Sequence, residues 1–398
     1  MTSLYRCVGS ALTPWPVDSG VSLVRSGRRG QQGCSRGRVR PSAVRRRTVE
    51  GEDDEESRME RTGTILRGRE FEPVEGRVVI DDDGRIEAIE ETSVDSSSII
   101  VPAFVNAHTH IGDSIAKEAG GGLSLEELVA PPDGLKHRLL RAASREELVS
   151  AMHTSLEFMQ QAGTAACLDF REGDVEGVDM LADAVSDLEI DAYSFARGSV
   201  EAMDAGDGFG ASGANDGTFD RERRATRRAG KPFGIHAGEV DASDIHPALD
   251  LEPDFLVHMV HPEPVHLDRL ADSEIPIVVC PRSNLVTDVG LSPYSELNER
   301  TTLALGTDNV MLNSPSMFRE MEFLAKLSEL PAAEILRMAT INGAEIADLE
   351  YGLIEPGREA RLLVLDGDSP NLADARDPVR AVVRRAGVSD IEAVQFGL

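Results

Sequence analysis

The chain has 398 residues and a formal net charge of −29, and its lysines are confined to Lys117, Lys136, Lys231 and Lys326. So acidic a composition repels nucleic acid and anionic membranes, which argues against both as partners. The avoidance of lysine fits a halophilic cytoplasmic protein, and the length suits one large enzyme domain with a smaller companion.

Residues 1–58 break the pattern. The first 47 carry ten arginines and a single acidic residue, Asp18, and an acidic run follows at 50–56. No apolar stretch there is long enough for a signal-peptide core or a membrane span. A transit peptide, a basic nucleic-acid arm, and sequence upstream of a start at Met59 are the alternatives. The last is carried forward, because everything from Met59 onward completes a fold without the tail.

Residues 59–101 read as the first part of a small β domain. Apolar runs at 64–66, 76–80 and 86–90 are separated by the turn Asp81-Asp82-Asp83-Gly84. Residues 351–398 read as its second part, with strands expected at 360–366, 379–384 and 391–394.

Between them, residues 102–350 alternate short apolar runs with amphipathic stretches. Strands are expected at 100–107, 165–170, 190–196, 206–211, 233–236, 255–260, 275–280 and 302–306. Helices are expected at 146–161, 178–188, 220–230 and 264–272. Eight βα units over roughly 250 residues predict an α/β fold of the (β/α)8 TIM-barrel type. Cys167 and Cys280 fall inside apolar runs and read as core thiols, and no CxxC offers a thiolate metal site.

His108-Thr109-His110 closes the first barrel run. Residues i and i+2 of a strand share a face, so both imidazoles can grip one ion from a rigid strand end. His236-Ala-Gly-Glu239, the His258–His261 stretch and Leu305-Gly-Thr-Asp308 close three further runs. Together they offer nitrogen and oxygen ligands suited to a divalent transition metal. All four motifs fall at C-terminal strand ends, the catalytic face of such a barrel.

These motifs resemble the amidohydrolase superfamily, in its cytosine deaminase, chlorohydrolase and S-adenosylhomocysteine deaminase-like branch, haloarchaeal type. The matching pieces are Val101-Pro-Ala-Phe-Val-Asn-Ala-His-Thr-His110, Gly234-Ile-His-Ala-Gly-Glu239, Leu256-Val-His-Met-Val-His261, Cys280-Pro-Arg-Ser-Asn284 and Leu305-Gly-Thr-Asp308. Ala339-Thr-Ile-Asn-Gly-Ala344 and Gly352-Leu-Ile-Glu-Pro-Gly357 extend the match. The resemblance implies one divalent ion, Zn²⁺ first with Fe²⁺ or Mn²⁺ as alternatives, held by His108, His110, His236 and Asp308. It implies that His258 orients or deprotonates the attacking water, that Glu239 shuttles protons, and that Asp308 is catalytic as well as a ligand. Two-metal relatives use a carboxylated lysine at the end of the fourth strand; no lysine of this chain closes a strand.

Arg171 and Glu172 after the second strand, and Arg197 after the third, are expected to face the same pocket. Arg171 either holds an anionic substrate group or pairs with Glu172 or Asp169. Substrate contacts are also expected from Ser283, Asn284, Asn309 and Asn313, and His261 either contacts substrate or caps the segment that follows it. His137, His153, His246 and His266 read as surface or helix residues.

The chain departs from adenosine-acting relatives at Asn309, where a second aspartate is common, and at Gly210-Ala-Ser-Gly-Ala-Asn215, where a histidine is common. Its expected activity is hydrolytic deamination of a small-molecule nucleobase, nucleoside or related amino-heterocycle. Ring-opening of a cyclic amide, as in imidazolonepropionase-like relatives, and a catalytically silent scaffold are the alternatives. A homo-oligomer is left open.

Overall fold

A computed structural model describes residues 59–129 and 133–396, and the expectations for residues 1–58 lie outside them. In chain order the strands are β1 Met59–Arg67, β2 Glu72–Ile80, β3 Ile86–Glu91, β4 Ile99–Pro102, β5 Phe104–His110, β6 Thr164–Arg171, β7 Asp191–Ala196 and β8 Gly208–Ala211. They continue with β9 Phe233–Ala237, β10 Phe255–His258, β11 Ile277–Val279, β12 Leu303–Leu305, β13 Asp308–Asn309, β14 Arg361–Leu365 and β15 Ile391–Phe396.

The strands from β5 to β13 form one sheet of parallel neighbours. It closes on itself, because a single stretch of chain supplies both edges: β12 pairs with β11, and β13, three residues on, pairs with β5. This is the expected (β/α)8 barrel, its last strand broken at Gly306 and Thr307. Gly306 is required there, since a Cβ would come within 2.7 Å of the Cβ of His108. Leu168, Phe170, Phe195, Phe255, Val257, Val278 and Ala304 fill the barrel interior, while Ala107 lies beside Gly343 of an outer helix. Cys167 and Cys280 are buried and unbridged, as expected of core thiols.

A second sheet, ordered β15-β14-β4-β1-β2-β3, draws strands from both flanks of the barrel. Two expectations are corrected here. Residues 100–107 are not one strand: β4 pairs with β1 and β14, whereas β5 belongs to the barrel. Pro102, which has no N–H to donate, sits at the changeover. Residues 379–384 are helical, within Pro378–Arg384, where the Asp377 side chain accepts from the Arg380 N–H and proline occupies the first turn. An aspartate N-cap followed by proline is a helix start. Among the described residues no helix is long and apolar enough to cross a membrane.

Candidate active site

The barrel register sets the chemistry. Asp308 pairs level with Thr109, so His108 and His110 flank it, and His258 pairs level with Ala237, one residue beyond His236. Asp308 and His258 both hold left-handed backbone angles, with φ of 57° and 77°. Non-glycine residues rarely adopt these, and such strain concentrates at functional sites.

His108, His110 and His236 present ring nitrogens within 4.8 Å of one another, and so do ligand atoms of His108, His258 and Asp308. Asp308 Oδ1 lies 3.2 Å from His108 Nε2 and 3.5 Å from His110 Nε2. His108 is wholly buried, and neither of its ring nitrogens makes a hydrogen bond. Buried polar groups normally find partners. Three imidazoles and a carboxylate converging with unsatisfied nitrogens fit a divalent ion.

The surrounding contacts leave these groups in states that suit ligation. His236 Nδ1 is 2.8 Å from the carbonyl oxygen of Ala211, which leaves Nε2 for the site. Burial pushes the His108 imidazole down to about 3, and burial together with His108 lowers His236 well below the ordinary range. Both are therefore neutral at pH 7, as ligation requires. Burial pushes the Asp308 carboxyl upward, but the contact with His108 and the nearby histidines outweigh it and hold Asp308 well below the usual range.

His258 Nδ1 is 3.1 Å from Asn284 Oδ1, so its Nε2 faces Glu239, whose Oε2 is 3.7 Å away. Ser283 donates its hydroxyl to Asp308 Oδ2. The helix Pro281–Val286 carries both, and Glu320, fully buried, pins it by accepting from the backbone N–H and guanidinium of Arg282.

Above this cluster opens a cavity of about 730 Å³, a size typical of small-molecule sites. His110, His236, Glu239, His258, Asp308, Glu172, Arg197, Ser283 and Asn309 all line it. Four expected substrate contacts, Arg171, His261, Asn284 and Asn313, are not among its lining residues. Arg171 is the clearest correction. Phe170 packs its ring against His108 inside the barrel, so strand alternation sends Arg171 outward. There its guanidinium meets Asp169 and Glu172 and touches Met152 of the helix Arg145–Gln161, which is the ion-pair alternative. Asn284 is buried against His258, and His261 follows the left-handed turn with its N–H on the Gly238 carbonyl.

Among the cavity's lining residues that the sequence did not point to, two carry ionisable side chains from far along the chain. Lys136 and His137 reach it from the helix Leu135–Ala142, between β5 and β6. Neither lies near a strand end, and only the tertiary path of that connection brings them in.

A closed barrel with histidines and carboxylates gathered at its C-terminal mouth defines a barrel enzyme. The model of the amidohydrolase family matches residues 99–394. A protein of Methanothermobacter thermautotrophicus, provisionally named an aminohydrolase, is 35% identical over 372 residues, covering 83% of this chain and 95% of its own. The 5-methylthioadenosine/S-adenosylhomocysteine deaminase of Halobacterium salinarum is 29% identical, covering 83% and 88%. A zinc-bound adenosine deaminase of Xanthomonas campestris shares the fold, with a TM-score of 0.64 at 19% identity over 84% of this chain and 90% of its own. The chain belongs to the amidohydrolase family and is a hydrolase acting on carbon–nitrogen bonds other than peptide bonds.

Proposed function

We propose that the protein is a hydrolytic deaminase of a nucleobase, nucleoside or related amino-heterocycle, working with one divalent ion, Zn²⁺ before Fe²⁺ or Mn²⁺. The observation that carries this reading is the pairing of Glu239 and His258, 3.7 Å apart, on the cavity that His110, His236 and Asp308 also line. The deaminase of Halobacterium salinarum supports the same reaction class. His108, His110, His236 and Asp308 would hold the ion, which supplies Lewis acidity that lets a water lose its proton near neutral pH.

The remaining work falls to this chain's side chains. Deamination adds water at the carbon bearing the amino group and releases ammonia. The ring nitrogen beside that carbon must gain a proton, and the amine needs one to leave. Water supplies both protons: Glu239, three residues past His236 on the turn out of β9, passes the first to the ring nitrogen and carries the second, released as the added oxygen becomes the carbonyl, to the departing amine. His258, held by Asn284, orients the water through Nε2. Asn309, Ser283 and Glu172 face the bound heterocycle.

Ammonia release, screened in high salt over amino-purines, amino-pyrimidines and cyclic ureides, tests the reading. Stoichiometric ammonia from an amino-heterocycle is the expected result. Ring-opening of a ureide without ammonia would replace the deaminase by a cyclic amide hydrolase, and inactivity of the metal-replete protein on every class would count against both.

A further inference from the structure

The charged wall at Lys136 has no part in the proton transfers above. Lys136 is 4% exposed, and burying an ammonium costs several kcal/mol unless it is well paired. Two carboxylates meet its Nζ: Asp113 Oδ2 at 2.8 Å and Glu172 Oε1 at 2.8 Å. Asp113 is fully buried, and neither of its oxygens has a hydrogen bond of good geometry, so the Lys136 charge is what compensates it.

Glu172 Oε1 is shared further. It accepts from Arg197 Nη1 at 3.1 Å and stands 3.4 Å from His110 Nδ1, a close approach without a hydrogen bond of good geometry. The opposite ring nitrogen of His110 faces Asp308. A carboxylate on the far nitrogen of a ligating histidine fixes its tautomer and ring orientation.

We propose that Lys136 is a positioning residue for the ion site: it fixes Glu172 against Nδ1 of His110, so that His110 keeps Nε2 turned inward and retention of a divalent ion is coupled to docking of the helix Leu135–Ala142. The inference rests on the metal reading under Proposed function. Without Lys136, the Glu172 carboxylate is drawn toward Arg171 Nη2, which already stands 3.5 Å from Oε2, and toward Arg197. Because coupling between sites is reciprocal, a bound ion must also hold the helix more firmly. A purely structural Lys136, present only to neutralise Asp113, predicts neither effect.

The test is titration of the metal-free protein with Zn²⁺ against a chromophoric chelator, with amide hydrogen exchange of residues 135–142 followed with and without Zn²⁺. Glu172→Gln is close in size and should weaken Zn²⁺ binding by about 10–100-fold, the usual effect of losing such a partner. Lys136→Met should weaken it by about tenfold through the same contact, and adding it to Glu172→Gln should cost nothing more. The pair Asp113→Asn with Lys136→Met removes the stranded carboxylate, protects folding, and should stay weak. Zn²⁺ should slow exchange in the helix of the natural protein but not of Glu172→Gln. Natural affinity in the Asp113→Asn, Lys136→Met protein, or effects of Lys136→Met and Glu172→Gln that simply multiply, would overturn the proposal while leaving the metal reading intact. Failure of the unaltered protein to bind Zn²⁺ at all would overturn both.

Discussion

On the six-stranded sheet, charges pair at the surface: Arg67 bridges Glu72 and Glu91, and Arg77 bridges Glu60 and Glu90, all on side chains 33–64% exposed. At the barrel mouth the reverse holds. His108 is wholly buried without a hydrogen bond, Asp308 keeps a left-handed backbone, and Lys136 is buried between carboxylates. Exposed pairs are screened by water and salt and contribute little, whereas unsatisfied buried groups lower stability and persist where function requires them. The contrast by itself points to the barrel mouth as the place of the chemistry. It also implies that substitutions at the two places should read out differently, activity and acid sensitivity at one and almost nothing at the other.

The sharpest break should come at Glu239. Glu239→Gln should retain the ion and lose about 10²–10⁴-fold in kcat, the usual cost of removing one general acid–base group. His258→Asn should also keep the ion and lose activity, as follows from the proposed role of His258 in orienting the water. Comparing kcat with metal content on each sample checks both, and near-normal turnover in metal-replete Glu239→Gln would favour an amide hydrolase.

Acid should produce the next largest effect. His108 is pushed down to about 3 by burial, against 6.5 for a free imidazole, so the unfolded chain binds more protons between those values. Stability therefore rises with pH across that window and is lost as pH falls from 6.5 toward 3. Asp308 and Glu172, both held well below their ordinary range, lose stability in the same direction at the acid end. The urea midpoint of the metal-free protein, followed from pH 8 to pH 4, should fall below about 6.5. A flat profile would mean the imidazoles are not buried in neutral form.

The smallest effect belongs to the surface. Arg77→Ala should leave the urea midpoint in high salt within experimental scatter, because both its carboxylate partners are solvated. A clear loss there would make the sheet's ion pairs structural and blur the contrast.

Much of the barrel was legible because its strands are short and apolar and four of the runs stop at a candidate site residue: His108 and His110, His236, His258 and Asp308. What escaped had physical reasons. Arg171 was expected on the pocket, yet counting alternation from Phe170 sends it outward. The helix at Pro378–Arg384 resembled a strand because Val379, Val382 and Val383 are β-branched, although Asp377 and Pro378 marked a helix start. Lys136 was beyond any local pattern: its partner Glu172 is 36 residues away, across a helix and a strand. Asn284 was read as a substrate contact, since nothing local shows that it faces His258 rather than the cavity.

Elemental analysis of the purified protein beside His236→Ala tests the central claim most directly. About one divalent ion per chain is expected in the first and an empty, inactive site in the second. A stoichiometry near two, or an ion retained by His236→Ala, would contradict it.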